Sequence, residues 1–156
     1  MTDEIPAPAF DPEDFMARYQ AYEQRAAELH PANKAVLLAA LGDAGISCVT
    51  VSFNGYGDSG QIDNIEVKAG DADAELPATC VEVASTEFGS EEITRLSQPL
   101  ANAIESFCFA LLEEKHAGWE NNEGAYGEFI YDVSAGTIVF DFNYRIETCE
   151  NHSYDI

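Results

Sequence analysis

The chain has 156 residues, of which seven are Lys or Arg and 29 are Asp or Glu, so its formal net charge is −22. A hydrophobic fraction of 46% is near the globular average, which excludes a disordered acidic tail and leaves enough apolar surface for one core. No apolar run reaches the roughly 18 residues of a membrane span, and the first residues lack the basic and apolar stretches of a secretory signal. We therefore expect a cytoplasmic protein that does not bind nucleic acid or anionic membranes directly, because its charge would be repelled by both.

The beginning of the chain predicts two helices after a short acidic segment. Residues 1–10 contain two prolines and are expected to form a flexible lead. Asp11-Pro12 is typical of a helix start, and the apolar spacing after it predicts a helix that His30-Pro31 ends or kinks. A second helix is expected from about Ala32 to Leu41, before the stop signal of Gly42.

Three strands and a long helix are predicted in the middle of the chain. Alternating apolar and polar residues predict strands at 46–53, 61–68 and 76–84. The glycine-rich residues 54–60 join the first two strands as a β-hairpin. Residues 85–97 have an irregular pattern, and the wide apolar face that follows predicts a helix from about residue 97 to residue 115.

Two further strands are predicted at Ala125–Val133 and Thr137–Glu147, so the order of elements is α-α-β-β-β-α-β-β. Strands joined by short turns pair antiparallel, and helices grouped apart from strands are typical of α+β proteins. We therefore expect an α+β fold with one five-stranded, mostly antiparallel sheet and helices on one face. The single domain is expected to span residues 11–147, followed by a polar tail at 148–156.

The cysteines and histidines do not indicate a metal site or a cofactor. None of the four cysteines lies in a C-x-x-C pair, and the three histidines are scattered along the chain. A disulfide framework is unnecessary at this length. We expect reduced cysteines, no metal and no cofactor.

Alternation in the last predicted strand separates an apolar face from an acidic one. Phe140 and Phe142 share one face, whereas Asp141 and Glu147 share the other. The apolar face must be covered by the helices, so the acidic face is expected to remain open. If the strand registers agree, that open face carries Glu82, Glu128, Asp132, Asp141 and Glu147.

The acidic face has two interpretations. Like charges on neighbouring strands destabilise a sheet, so their retention needs a function or a solvent that disperses them. The leading hypothesis is a non-enzymatic interaction protein that engages a basic protein partner, in its strongest form by imitating nucleic acid, since same-face residues repeat at roughly 6.6–6.8 Å. The competing interpretation is a surface that only keeps the protein in solution. A homodimer formed through an open sheet edge is a third expectation.

Two polar clusters predict an alternative, enzymatic site that depends on a small molecule or a divalent metal. It requires the turn at 57–61 and the loop at 119–128 to meet at one end of the sheet. Its carboxylates would perform acid–base work or, together with His116, bind a cation. In the competing interpretation the turn is only a hairpin, and aromatic residues of the loop plug the core. The residues of this alternative pocket are Asp58, Gln61, Trp119, Glu120, Asn122, Glu123 and Tyr126.

Three segments carry a family resemblance. They are Gly-Asp-Ser-Gly-Gln-Ile at 57–62, Gly-Trp-Glu-Asn-Asn-Glu-Gly-Ala-Tyr-Gly-Glu-Phe at 118–129, and Asp-Phe-Asn at 141–143. Over roughly residues 12–150 the chain resembles an uncharacterised family of small acidic bacterial proteins of unknown function, often encoded on plasmids and other mobile elements. The resemblance implies a bacterial cytoplasm and favours an accessory or anti-defence role, and it brings no catalytic residues. The tail at 149–154 departs from the family pattern.

Overall fold

The computed structural model describes residues 11–57, 59–89, 92–121 and 123–156, so the predicted lead at 1–10 lies outside the described residues. The fold is α+β, as the order of elements predicts. The helices and strands are α1 (Pro12–Glu28), α2 (His30–Asp43), β1 (Cys48–Tyr56), β2 (Ser59–Ala69), β3 (Ala72–Asp73), β4 (Cys80–Thr86), β5 (Ile93–Pro99), α3 (Leu100–His116), β6 (Ala125–Asp132) and β7 (Thr137–Tyr144).

The first helix begins at its predicted signal, and the second begins at His30, two residues before the predicted start at Ala32. The Asp11 side chain accepts a hydrogen bond of 3.0 Å from the backbone N–H of Glu13, so it caps α1. Pro31 lies in the first turn of α2, where a missing N–H costs nothing, and α1 therefore ends just before it. Within the described part of the chain, no helix is long and apolar enough to cross a membrane.

The five-stranded sheet has the strand order β3-β2-β1-β6-β7, and every neighbouring pair is antiparallel. Its fifth strand is the two-residue β3. The third predicted strand instead corresponds to β4, which pairs with β5 in a separate two-stranded sheet. The irregular structure expected at 85–97 is therefore wrong for β5. Its only large apolar residues, Ile93 and Leu96, are more than half exposed, so burial gives β5 no periodic pattern.

The hydrophobic core lies between the five-stranded sheet and the helices. Val49, Val51 and Phe53 of β1 are buried, and Phe129 of β6 stacks on Phe140 of β7 at a centroid distance of 4.4 Å. The face of the sheet that carries these side chains is the inner face. Helix α3 covers it through buried residues, including Ile104, Cys108 and Leu112.

All four cysteines are free thiols. Cys108 is buried on α3, and its Sγ lies 3.3 Å from the hydroxyl oxygen of Tyr131. Burial raises the pKa of the Cys108 thiol to about 12 and raises the pKa of Tyr131 as well. Cys108 is therefore a packing residue at neutral pH, because a nucleophile must be a thiolate.

Candidate interaction surface

The outer face of the five-stranded sheet is the face turned away from α3. Side chains alternate along each strand, so the neighbours of the buried core residues point outward. In the middle row Ser52 is paired with Glu128, and Glu128 is paired with Asp141. A shallow groove, the outer groove, runs over this row, and its lining includes the side chains of Ser52, Asn54, Asp63, Tyr126, Glu128, Asp141, Asn143 and Arg145.

Two carboxylates of the outer groove lie directly opposite each other without a counter-ion. Glu128 and Asp141 are cross-strand partners on β6 and β7, and neither forms an ion pair with a Lys or Arg among the described residues. The sheet's ion pairs use Lys68, which contacts Glu66 and Asp73 at the opposite side. The hydrogen bond to Lys68 lowers the pKa of Asp73 and raises the pKa of Lys68. The Glu128–Asp141 pair thus has no ion-pair partner among the described residues.

Arg145 lies at one end of the outer groove, where its guanidinium donates to uncharged oxygen atoms. Its Nη1 donates to the carbonyl oxygens of Gly55, at 2.9 Å, and Ala125, at 3.2 Å, while its Nη2 donates to Asn54 Oδ1 at 2.6 Å. The guanidinium also lies 4.9 Å from the ring centroid of Tyr126. Sequence reasoning did not single out Arg145 as a site residue, although its alternation with Asp141 placed it on the same side of the strand.

The predicted acidic residues do not all lie on one face. Asp132 shares the outer face with Glu128 but lies at the other end of β6 from Arg145, and its Oδ1 accepts a hydrogen bond of 3.1 Å from the N–H of Ala135. The predicted placement of Glu82 on the same sheet face is wrong, because β4 belongs to the separate two-stranded sheet. The predicted placement of Glu147 on the last strand is also wrong, because β7 ends at Tyr144 and the chain beyond it forms no helix or strand.

The turn and the loop of the alternative pocket do meet, but the contact is made by a buried tryptophan. Trp119 is 3% exposed. A Cβ atom added at Gly60 would lie 2.4 Å from Trp119 Cη2, and one added at Gly55 would lie 2.5 Å from Cζ3. The indole ring therefore fills the space between turn and loop, as the plug interpretation predicts. Tyr126 is not part of that plug, since it lies 47% exposed on the outer face.

The other residues of the alternative pocket have different surroundings. The Gln61 side chain donates to Asp63 at 2.8 Å, Glu123 is exposed, and one buried carboxylate oxygen of Glu120 has no hydrogen-bond partner. Asp58 and Asn122 lie outside the described residues.

The cation-binding version of this site lacks a gathered ligand set. His116 stacks on Phe142 at a centroid distance of 3.7 Å, and its Nδ1 lies 3.1 Å from the hydroxyl oxygen of Tyr144. Its contacts therefore place it among aromatic rings. Across the described ranges, no three His, Cys, Asp or Glu side chains are grouped so that they could hold a metal ion.

Comparisons with known proteins identify the family of the chain. A search of curated proteins and a search of solved structures each found no match. One family, described as a family of unknown function (DUF6878), matches residues 29–156. The match begins one residue before α2, so it includes both sheets, α2 and α3 and leaves out α1. The chain therefore belongs to this family of unknown function, DUF6878.

Proposed function

We propose that the protein is a non-enzymatic interaction protein whose outer groove receives a basic segment of a partner protein. The observation that carries the proposal is the cross-strand pair of Glu128 and Asp141, which has no counter-ion among the described residues. Like charges placed opposite each other destabilise a sheet. A partner cation that bridges the two carboxylates would remove this repulsion. The repulsion between Glu128 and Asp141 therefore favours the binding of a cationic group.

The chemistry of the outer groove suits an arginine better than a lysine. A guanidinium presents several N–H donors in one plane and can donate to two carboxylates at once, whereas an ammonium acts as a point charge. The side chains beside the acidic pair are uncharged hydrogen-bonding groups, Ser52 and Asn143. The net charge of −22 adds long-range attraction, which speeds the encounter with a cationic partner.

The strongest form of the proposal is that the partner is a nucleic-acid-binding protein whose cationic cleft the acidic face occupies. Glu128 and Asp132 are four residues apart on one strand, so their side chains are separated by about 13 Å. That distance is about two steps of the same-face repeat. The family resemblance supports a setting in the bacterial cytoplasm and an accessory or anti-defence role on a mobile element.

The test is capture of basic bacterial proteins by the immobilised full-length chain. The proteins offered are the lysate fraction that binds to heparin, which retains nucleic-acid-binding proteins. We expect capture at about 50 mM NaCl, release at about 500 mM NaCl, and displacement by added double-stranded DNA. The variant Glu128→Lys/Asp141→Lys should capture at least tenfold less.

The matched control is Glu23→Lys/Glu113→Lys, which changes the net charge equally at exposed positions on α1 and α3. It should capture nearly as much as the native chain. Equal loss in both variants would show that only net charge matters and would reject the outer groove. Capture that resists salt would reject the electrostatic proposal, and capture that DNA does not displace would reject imitation of nucleic acid.

The enzymatic alternative has less support. Trp119 occupies the space between turn and loop, and Gln61 and Tyr126 lie on the outer face rather than around a common cavity. A homodimer would be detected by light scattering of the native chain.

A further inference from the structure

Strand β7 forms one edge of the five-stranded sheet, and on its outer side it has no neighbouring strand among the described residues. The opposite edge is the two-residue β3, where Asp73 forms an ion pair with Lys68 of the adjacent strand. β7 is eight residues long and contains no proline, lysine or arginine, which are residues that protect a strand edge from further pairing. This outer side of β7, the free edge, is therefore open to an added strand.

The hydrogen bonds of the sheet determine which backbone groups of β7 point to the free edge. The N–H of Arg145 donates to the carbonyl oxygen of Gly124, and the same register pairs Asp141 with Glu128. In an antiparallel pair every second residue bonds to the neighbouring strand. Asp141 and the residues two positions away from it therefore bond to β6. The intervening residues point their N–H and C=O groups to the free edge, and these are Ile138, Phe140, Phe142 and Tyr144.

These four N–H and four C=O groups have no backbone partner in the described part of the chain. Residues 146–156 follow β7, but they are exposed and form no backbone hydrogen bond with it. An extended segment that lies antiparallel to β7 would bond to these groups, as happens when a peptide adds a strand to a sheet edge.

The inner face beside the free edge favours apolar side chains on the added strand. Phe140 and Phe142 are only half-buried, and both pack against the core. Side chains of neighbouring strands that share a face lie side by side. Apolar residues opposite Phe140 and Phe142 would therefore cover the exposed parts of these rings and extend the core by one strand.

The outer face beside the free edge favours a basic side chain. Asp141 is exposed, and it has no ion-pair partner among the described residues. Because its backbone bonds to β6, the residue opposite it on an added strand belongs to a non-hydrogen-bonded pair. In such pairs the Cα atoms are about 4.5 Å apart and the side chains are closest. An arginine at that position would pair with Asp141 and reach into the outer groove.

We propose that the basic segment of the partner binds as an extended strand, antiparallel to β7, with alternating apolar and basic residues. This inference rests on the proposed function, because it specifies how the segment reaches the outer groove. The apolar residues lie opposite Phe140 and Phe142, and an arginine lies opposite Asp141. A second copy of the chain fits the free edge less well, since it would bring another net charge of −22 and a second Asp141 to the same edge.

The experiment is a titration of the full chain with the peptide acetyl-Val-Arg-Val-Arg-Val-Arg-Val-amide, followed by amide hydrogen exchange in ¹H–¹⁵N NMR. The four amides that point to the free edge should exchange quickly in the chain alone. At saturating peptide they should exchange at least tenfold more slowly. The amide of Asp141, which already bonds to β6, should change little.

Two N-methylated analogues of the peptide separate strand pairing from attraction by charge. Methylation of the third and fifth residues, both valines, blocks N–H groups that face β7. It should weaken binding at least tenfold, because two hydrogen bonds are lost. Methylation of the second and sixth residues, both arginines, blocks N–H groups that point to solvent. This analogue is the matched control and should bind like the parent peptide.

Equal binding by both analogues, or unchanged exchange of the edge amides at saturating parent peptide, would overturn strand addition and leave the proposed function standing. Slow exchange of the same four amides in the concentrated chain alone would identify a second copy as the occupant and would also overturn it.

The variant Asp141→Asn tests the charge separately, with Glu113→Gln at an exposed position on α3 as its control. Asp141→Asn should bind the parent peptide at least threefold more weakly than the control does. Equal affinity of the two variants would count against the proposed function, whereas the methylation pattern would still decide whether a strand is added.

Discussion

Two glycines decide how the end of the sheet is packed. Gly55 on β1 and Gly60 on β2 are cross-strand partners, and both lie against the indole ring of Trp119. Any Cβ at either position would come within van der Waals overlap of the ring. Their role is therefore steric, since the missing side chains make room for one large aromatic residue that closes the core.

The substitution Gly60→Ala tests this packing. The added methyl would lie 2.4 Å from a ring carbon of a buried tryptophan, so we expect the free energy of unfolding to fall by about 2–3 kcal/mol. Urea denaturation followed by tryptophan fluorescence measures the change. Gly42→Ala is the matched control on α2, where the nearest atom is an ordinary 3.6 Å away. There, stability should be unchanged or slightly higher. Equal loss in both variants would contradict a steric role for Gly60.

The reactivity of the cysteines provides a second test at the residue scale. The pKa of Cys108 is raised to about 12 by burial, so at a pH of about 8 only about one thiol in ten thousand is a thiolate. Labelling with iodoacetamide, read by mass spectrometry of peptides, should modify the exposed Cys80 and Cys149 within minutes. Cys108 should react only after denaturation or as the pH rises toward 12. Native labelling of Cys108 at the rate of Cys80 would show that the core is open.

At the scale of elements, the two-stranded sheet depends on side chains from the helices. Within the described ranges β4 and β5 pair only with each other, and an isolated two-stranded ribbon is marginal in water. Buried Val81 and Val83 attach β4 to the core, and the Asn33 side chain binds both polar groups of the Ala84 backbone. The side-chain amide of Asn33 thus hydrogen-bonds to the backbone of β4 as a neighbouring strand would, at the edge that does not pair with β5.

Asn33→Ala should therefore destabilise the ribbon more than the rest of the chain. Two hydrogen bonds are lost, and the Ala84 N–H is left without its partner, so we expect a loss of about 1–3 kcal/mol. Hydrogen exchange should show faster exchange at Ala84 and along β4, with β1 and β6 unchanged. Asn102→Ala, at an exposed position on α3, is the control and should leave exchange unaltered. Uniformly faster exchange in all strands would instead show that the ribbon unfolds only with the core.

At the scale of the whole molecule, the large net negative charge destabilises the compact folded state. With 29 acidic and seven basic residues, carboxylates must repel one another over the surface. The described ion pairs are few and mostly exposed, so they offset little of this repulsion.

Salt should therefore stabilise the protein. Raising NaCl from about 10 mM to about 1 M shortens the Debye length from about 30 Å to about 3 Å, which removes most repulsion between surface carboxylates. We expect the thermal midpoint, measured by circular dichroism, to rise by several degrees. An equal rise with sucrose, which does not screen charge, would attribute the effect to solvent exclusion instead. A midpoint that falls with added salt would contradict the dominance of repulsion.

Local sequence patterns determined most of the elements, because helix caps and side-chain alternation act between neighbours in the chain. Asp11 marked the start of α1 and His30-Pro31 marked its end, and the alternation around Phe140 and Asp141 separated the inner from the outer face. Tertiary structure alone decided the assignments that depend on partners distant in the chain. β5 exists because β4 pairs with it, Glu82 belongs to that separate sheet, and Trp119 fills the space that two distant glycines leave open. The free edge of β7 likewise depends on the order of strands in the sheet, because alternation along one strand does not record which of its edges is paired.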